Sequence, residues 1–299
     1  MRQKYVATIG CFDGVHLGHQ TLVSRVRNEA QKRGLLSAVV TFDRLPRQLF
    51  DPTFRPSLLS TASEKQSQLA SLGVDEVIVL PFTHEVARLT AMAFMQRLSE
   101  QMGVEVLVTG YDNRFGHNRS EGFEDYVRYG RLLGMDVLRG EVACFPGTDE
   151  AVSSSAIRQL LNEGDVTKAA SGLSRYYGLT GRVVRGEHIG HELGFPTANL
   201  KPLHPDKLIP ASGAYAVWAN VKGSRMPAMM NIGSRPTFGG TMQTLEVNIF
   251  GEVGDVYGCE LTVDFVARFR EEQRFDSREA LVRQLESDKI RALEVLEGK

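Results

Sequence analysis

The first half of the chain alternates short apolar runs with segments whose apolar positions recur at helical spacing. The runs are rich in β-branched residues and apolar throughout, which is typical of strands covered on both faces. Several helical segments end at glycine, a common helix stop. This βαβα order predicts a parallel sheet wrapped by helices. The predicted strands are 4–10, 35–42, 75–82, 104–110 and 135–142, and the predicted helices are 20–34, 62–73, 84–103, 123–134 and 154–165.

The pattern changes near residue 172. Strand-like runs then follow one another with glycine, proline and loop residues between them, which favours an antiparallel barrel or sandwich. A segment with helical apolar spacing closes the chain after Ser277, a candidate N-cap. We place the boundary at about 165–175, giving domains 1–170 and 171–299. The predicted strands of the second domain are 177–186, 214–221, 225–233, 243–250 and 260–269.

The amino-acid composition argues against several classes of function. The 299 residues carry 35 basic and 36 acidic side chains, and this balance argues against a protein that coats nucleic acid. The three cysteines are far apart, which favours reduced thiols over a disulfide framework. No run approaches the ~18 apolar residues of a membrane span, and the N-terminus leaves no room for a signal peptide. We therefore expect a cytoplasmic protein that binds neither membrane nor nucleic acid.

The stretch GCFDGVHLGHQ, residues 10–20, joins the first predicted strand to a helix. Its glycines permit a tight turn and close approach of a ligand, and a helix N-terminus favours phosphate. His16 and His19 could stabilise charge developing on a phosphorus centre. A zinc site would need a third protein ligand at a recognisable spacing. A structural histidine pair remains the other alternative.

The segment 181–200, GRVVRGEHIGHELGFPTANL, combines a glycine-rich turn with Pro-Thr-Ala-Asn. Glycines let backbone amides approach phosphate oxygens. If the chain is extended, Thr197 and Asn199 share a face and could direct two oxygens at Mg²⁺, which needs few protein ligands. A β-turn with a capping asparagine is the alternative. Further along, Glu246 in LEVNIF is by its spacing alone a solvent-facing strand residue.

The segment SSSAIR, residues 153–158, begins a predicted helix. Serine hydroxyls there could reach phosphate, and Arg158 could pair with it through two hydrogen bonds. An ordinary helix cap is the alternative.

Seven segments, spread over the chain, together resemble one known family. GCFDGVHLGHQ is similar to the GxFDGxHxGH signature of nucleotidyltransferases, and GYDNRFG (110–116) and SSSAIR resemble further signatures of bacterial bifunctional riboflavin kinase/FMN adenylyltransferases, or FAD synthetases. GFPTAN (194–199) resembles the hallmark of riboflavin kinases. NIGSRPTFGG (231–240), LEVNIF (245–250) and FREEQRF (269–275) follow in that family's order.

The resemblance implies both fold and activity. The fold is α/β, a Rossmann-like nucleotidyltransferase domain followed by an antiparallel β-barrel riboflavin kinase domain with a C-terminal helix. The expected enzyme uses ATP and Mg²⁺ to phosphorylate riboflavin to FMN, and then adenylylates FMN to FAD with release of pyrophosphate. Riboflavin, FMN and ATP are the expected small-molecule partners, and the oligomeric state stays open.

The resemblance also assigns residues. It implies catalytic roles for His16, His19 and Glu246, the last as general base, and magnesium ligands Thr197 and Asn199. The nucleotide-binding set is Gly10, Phe12, Asp13, Gly14, Gly18, Ser154, Ser155, Arg158, Gly186 and Gly190, and the flavin-binding set is Asp112, Asn113, Arg270 and Phe275.

The chain departs from the family pattern at two places. FDRLP (42–46) stands where the family has F-x-P-H-P, and Asn113 stands where it has an aromatic residue. Arg44 could contribute a phosphate contact there. Two other hypotheses therefore stay open, namely a riboflavin kinase with a degenerate adenylyltransferase domain and a non-catalytic flavin-binding regulatory protein.

Overall fold

A computed structural model describes residues 3–117, 119–186, 194–237 and 240–298, without the side chains of 235–237 and 240–242. The chain divides into two compact units, Met1–Ser154 and Ser155–Lys299. None of the helices among the described residues is long and apolar enough to span a membrane.

The first unit is built on a five-stranded parallel sheet, as the βαβα pattern predicted. Its strand order is β3-β2-β1-β4-β5, so the order reverses between β1 and β4, where ligands bind in open α/β sheets. The strands are β1 (Tyr5–Ile9), β2 (Leu36–Phe42), β3 (Glu76–Leu80), β4 (Val104–Thr109) and β5 (Asp136–Arg139).

Helices cover both faces of this sheet. Alternate residues of β1 enter two separate apolar cores, with Ala7 on one face and Val6 on the other. This double burial explains why the strand runs are apolar throughout. The helices of the unit are α1 (Leu17–Arg33), α2 (Pro46–Phe50), α3 (Ala62–Ser71), α4 (His84–Arg88), α5 (Ala91–Met102) and α6 (Phe123–Leu133).

The single helix predicted over 84–103 is wrong, because α4 and α5 are separate. Leu89 has an extended backbone, and the Thr90 hydroxyl accepts a hydrogen bond from the Ala93 amide at 3.2 Å to start α5. The amide of His117 reaches the Leu89 carbonyl at 2.9 Å. A distant segment therefore satisfies the backbone at the break, which no local pattern encodes.

The second unit is a closed antiparallel barrel with strand order β10-β7-β6-β11-β8-β9. The sequence left barrel and sandwich open, and the barrel implied by the family resemblance is confirmed. Its strands are β6 (Tyr177–Val184), β7 (Ala198–Pro202), β8 (Gly213–Val221), β9 (Ser224–Thr237), β10 (Gly240–Ile249) and β11 (Glu260–Arg270). Strand β7 was absent from the predicted set.

Within the described residues, the helices of this part of the chain are α7 (Ser154–Glu163), α8 (Val166–Leu173) and α9 (Arg278–Glu297). The Ser277 hydroxyl accepts a hydrogen bond from the Ala280 amide at 3.1 Å, so the predicted cap of α9 is confirmed. Ala292 and Leu296 of α9 pack with Ala216 and Val266 of the barrel wall. This packing sets one side of the cavity described below.

Candidate active site

The loop after β1 lies at the point where the strand order reverses. Phe12, Gly14 and Val15 have positive φ values of 52°, 83° and 40°. Side-chain-bearing residues rarely adopt this region, and such strain concentrates at functional sites. The loop therefore has an imposed shape that brings α1 in at the carboxyl end of the sheet.

The two histidines of this loop stack on each other. Their ring centroids are 3.6 Å apart with an interplanar angle of 22°, and the Phe12 ring meets His19 edge-on at 5.0 Å. His16 occupies the N-cap of α1, whose N-terminus has no side-chain cap from the described residues and no acidic residue in its first turn. Free amides and a positive helix end favour an anion there.

His19 is in a setting that disfavours its charged form. Burial, and then the neighbouring charges of His16 and Lys65, hold the pKa of His19 well below its ordinary value. Among the described residues, its Nδ1 atom is buried and has no hydrogen-bond partner. An anionic group bound at the α1 N-terminus would reverse this balance, since a negative charge favours the imidazolium.

Gly10 and Gly18 are explained by packing against the aromatic rings. A Cβ atom at Gly18 would lie 3.2 Å from the His16 ring, and one at Gly10 would lie 3.2 Å from the Phe12 ring. Contacts this short would displace the rings from the arrangement just described. Both glycines shape the site, and that role does not depend on a direct nucleotide contact.

Asp13 is buried, with 5% of its surface exposed, and its carboxylate binds main chain. Its oxygens accept hydrogen bonds from the Leu59 amide at 3.1 and 3.2 Å and from the Ser60 amide at 2.9 Å. The Ser154 hydroxyl donates to the Asp13 carbonyl at 2.9 Å. Asp13 therefore ties the loop to the segment that precedes α3, a role that the sequence did not suggest.

Ser155 and Arg158 lie in the first two turns of α7, directly after Ser154. Ser155 is exposed and Arg158 is half-buried. Within the first unit, the Ser154 hydroxyl is the part of the SSSAIR segment that binds the loop after β1.

Asn113, which replaces the family's aromatic residue, has a defined structural partner. Its Nδ2 atom donates to the Ile9 carbonyl at 2.7 Å, across the β1–β4 reversal point. Asp112 is exposed on the preceding turn. The GYDNRFG segment is thus fixed to the carboxyl end of β1, where the loop that carries the histidine pair begins.

The FDRLP segment carries two charges at the end of β2. Arg44 pairs with the adjacent Asp43, whose other oxygen accepts the Phe82 amide at 2.8 Å. Lys65, which no sequence motif indicated, contacts the end of the same strand. Its Nζ atom donates to the Phe42 carbonyl at 2.7 Å and the Cys11 carbonyl at 3.2 Å. Its spacing from Leu69, on the apolar face of α3, was the available signal.

In the second unit, a cavity of about 330 Å³ opens between the barrel wall and α9. Glu246 of β10 faces Asn199 of β7 on one side and Asn231 of β9 on the other in the strand register. Met229, Met230, Phe195 and Leu285 supply an apolar wall. The cavity therefore pairs a carboxylate with a surface suited to a flat aromatic ligand.

The PTAN segment is held against this cavity. Thr197 lines the cavity, and Asn199 is the second residue of β7. The Asn248 amide donates to the Pro196 carbonyl at 2.7 Å. Asn248 was missed, although its place two residues after Glu246 puts both on one face of β10.

Gly186 lies beside Asn199, because a Cβ atom there would come 2.1 Å from the Asn199 amide nitrogen. The absence of a side chain at residue 186 therefore lets Asn199 keep its orientation. Gly190, the other glycine assigned to nucleotide binding, lies outside the described residues.

Arg270 and Phe275 both line the cavity. The Arg270 guanidinium makes several hydrogen bonds to Asp288 of α9, the shortest at 2.6 Å, and its centre lies 5.9 Å from the Phe275 ring. Gln284 donates to the same carboxylate at 2.8 Å. Asp288, only 3% exposed, thus fixes Arg270 in the wall, which limits Arg270 to stacking or to its remaining N–H groups.

The oxygens around Glu246 are suited to a hard divalent cation. No cluster of three or more His, Cys, Asp or Glu side chains capable of holding a metal is found in the described ranges. The hydroxyl of Thr197 and the amide oxygen of Asn199 are neutral donors, and Mg²⁺ is usually held by few protein oxygens together with phosphates. The donor set therefore fits Mg²⁺ brought in with a nucleotide.

Two family models match the chain in succession. A model for FAD synthetase matches residues 1–156, and a model for riboflavin kinase matches residues 173–296. The first therefore covers the parallel-sheet unit, and the second covers the barrel and α9.

Individual relatives match almost the whole length. A bifunctional riboflavin kinase/FMN adenylyltransferase of Escherichia coli (strain K12) is 37% identical over 97% of this chain and 92% of its own. One of Bacillus subtilis (strain 168) is 32% identical over 97% and 92%. A crystal structure described as a macrolide-efflux protein from Streptococcus pneumoniae is 31% identical, with a TM-score of 0.89 over 97% of this chain and 94% of that one.

Proposed function

The chain belongs to the bifunctional riboflavin kinase/FMN adenylyltransferase family, and we propose how its residues divide the two reactions. It is an enzyme of FAD biosynthesis that converts riboflavin to FMN and FMN to FAD. The observation that carries this conclusion is that both family models match in succession, each over a unit with a candidate site. We assign the functional boundary to about residue 170.

In the first unit we assign the ATP triphosphate to the N-terminus of α1. A phosphate oxygen of FMN would attack the α-phosphorus, and the bond from that phosphorus to the bridging oxygen would break to release pyrophosphate. His16 and His19 would stabilise the negative charge that moves onto the leaving group. Support comes from their stacking at a helix N-terminus that no side chain of the described residues caps, and from the lowered pKa of His19, whose protonation by solvent a bound anion would favour.

The other residues assigned to this site would shape the loop that holds the triphosphate or contact the substrates themselves. Gly10, Gly14 and Gly18 would shape the loop, and Phe12 would buttress His19. Ser155 and Arg158 would reach phosphate from α7. The remaining assignments to this site are Asp13 and Ser154 for the nucleotide and Asp112 and Asn113 for the flavin; for Asp13 and Asn113 the contacts described support an indirect role.

In the second unit we assign riboflavin to the cavity beside α9. Glu246 would accept the proton of the terminal ribityl hydroxyl as that oxygen attacks the γ-phosphorus of ATP, and ADP would leave. Phe275 and the methionine wall would contact the flavin ring, and Arg270 would line it. The register of Glu246 between Asn199 and Asn231 supports this assignment.

We propose Mg²⁺ as the cofactor of the kinase reaction, held by Thr197 and Asn199. The cation supplies charge neutralisation on the transferred phosphoryl group when bound. Gly186 would keep Asn199 in place for that task, and Gly190 would contribute backbone to the nucleotide. A cytoplasmic location and the lack of nucleic-acid partners stay predictions.

The test is incubation of the protein with riboflavin, ATP and Mg²⁺, with the flavins resolved by chromatography. We expect FMN to form first and FAD to follow. FMN alone would mean that the departures at FDRLP and Asn113 have disabled the adenylyltransferase. No turnover, with flavin bound, would mean a binding protein.

A further inference from the structure

Lys65 is a buried lysine behind the loop that carries the histidine pair. Only 8% of its surface is exposed, and its ammonium lies between the carbonyls of Cys11 and Phe42. One carbonyl belongs to the loop after β1 and the other ends β2. The side chain thus joins the two strand ends that border the candidate nucleotide site.

The charge of Lys65 is not neutralised by an ion pair with any carboxylate of the described residues. Burial lowers the pKa of Lys65, although the nearby Cys11, Asp13 and Asp43 favour the ammonium. Lysine is rarely buried without a paired charge, because desolvation is costly. A hydrocarbon side chain would fill the same space more cheaply if packing were its only role.

The Lys65 charge also acts on the histidine pair. It is one of the causes that lower the pKa of His19, after burial and His16. The titratable groups whose charges couple to this network are Cys11 and Asp13 in the loop, Asp43 after β2, and the two histidines. A positive charge that interacts electrostatically with His19 also attracts an anion bound by His19. This attraction is stronger where little solvent is present to screen it.

We propose that Lys65 is a positioning residue for adenylyl transfer, which joins the Cys11 and Phe42 carbonyls and adds positive charge behind His16 and His19. The inference rests on the proposed function of the first unit. Lys65 forms no bond to substrate in this account. It stabilises the triphosphate and the departing pyrophosphate through the loop and through its field.

The test compares Lys65→Gln, which keeps a hydrogen-bond donor without charge, with Lys65→Arg, which keeps the charge. Lys32→Met is the matched control, because the Lys32 side chain is 74% exposed on α1. We expect Lys65→Gln to lower kcat for FAD formation from FMN by about tenfold or more, less than the ~10²–10³ of a direct oxyanion donor. Lys65→Arg should recover most of that loss, and Lys32→Met should change nothing.

Far-UV circular dichroism reports whether the first unit is folded in each variant. Riboflavin phosphorylation, which the proposed function assigns to the second unit, should be unchanged in all three variants. An NMR titration supplies a readout that a purely structural role would not move. The pKa of His19 should rise in Lys65→Gln, because a positive neighbour is lost, and should stay near its wild-type value in Lys65→Arg.

Unaltered FAD formation in Lys65→Gln would overturn the proposal. So would equal losses in the Gln and Arg variants with an unshifted His19, since that pattern indicates packing alone. If Lys65→Gln unfolds, Lys65→Met is measured in its place with the same expectations. Failure of the wild-type protein to make FAD would instead refute the proposed function of this unit, so the two failures are distinguishable.

Discussion

Replacing Asp13 by alanine tests whether this residue anchors the loop after β1. The carboxylate accepts hydrogen bonds from two backbone amides, Leu59 and Ser60, at 2.9–3.2 Å, and the side chain is 5% exposed. Hydrogen bonds to charged groups contribute roughly 1.5–3 kcal/mol each, so losing both should cost at least about 3 kcal/mol. For a unit of this size that corresponds to a Tm lower by about 10 °C.

The assay is thermal unfolding followed by far-UV circular dichroism. Trp218, the single tryptophan of the chain, reports separately on the second unit by fluorescence. Asp13→Asn keeps one acceptor oxygen and should lose about half as much stability. Asp149→Ala, at an exposed aspartate of the same unit, is the control.

The anchoring account also predicts a functional loss. At temperatures at which the Asp13→Ala protein is still folded, its conversion of FMN to FAD should be slower than that of the wild-type protein. Its phosphorylation of riboflavin should persist. A cost below about 1 kcal/mol, the lower end for one buried amide left without an acceptor, would refute this reasoning. Equal costs for the Asn and Ala variants would refute it as well.

Three further predictions concern single contacts. Asn248→Ala removes the hydrogen bond to the Pro196 carbonyl and should weaken ATP use in riboflavin phosphorylation several-fold, measured as KM. Gly186→Ala should lower the same activity, because its Cβ would displace the Asn199 side chain, whereas FAD formation from FMN should persist. With the pKa of His19 held below its ordinary value, this group destabilises the fold as pH falls below about 6.5, and ATP should oppose that loss by raising the pKa in an NMR titration.

Much of the fold was predictable because its periodic signals are local. Apolar runs of β-branched residues marked all five parallel strands, and glycines marked the ends of several helices. The break between α4 and α5 was not predictable, because the backbone at Leu89 is satisfied by His117 from a distant turn. Strand β7 was missed because Ala198–Pro202 is short and follows a turn rich in glycine and proline.

The sequence motifs indicated the main residues of the candidate sites, but they did not indicate the residues that hold these in position. Motif spacing indicated His16 and His19, yet it gave no reason to expect their stacking. Neither Lys65 nor Asn248 belongs to a recognisable sequence motif. Only the tertiary fold brings the Lys65 ammonium to the Phe42 carbonyl and the Asn248 side-chain amide to the Pro196 carbonyl. Contacts between residues far apart in the chain leave no periodic signal.

Asn113 is a residue that the sequence marked as unusual and that the structure explains. The resemblance marked it as a departure from an aromatic position. The side-chain amide of Asn113 donates a hydrogen bond to the Ile9 carbonyl, which gives the residue a structural role at the end of β1. A departure from a motif therefore does not by itself indicate a degenerate site.

The proposed function assigns the two reactions to separate sites, one in each unit. Its most direct test measures both conversions in Glu246→Gln and His19→Ala, with flavins resolved by chromatography. Glu246→Gln should abolish conversion of riboflavin to FMN while added FMN still becomes FAD. His19→Ala should make FMN and stop there. If either substitution, in a folded protein, stopped both conversions, the division into two sites would be contradicted.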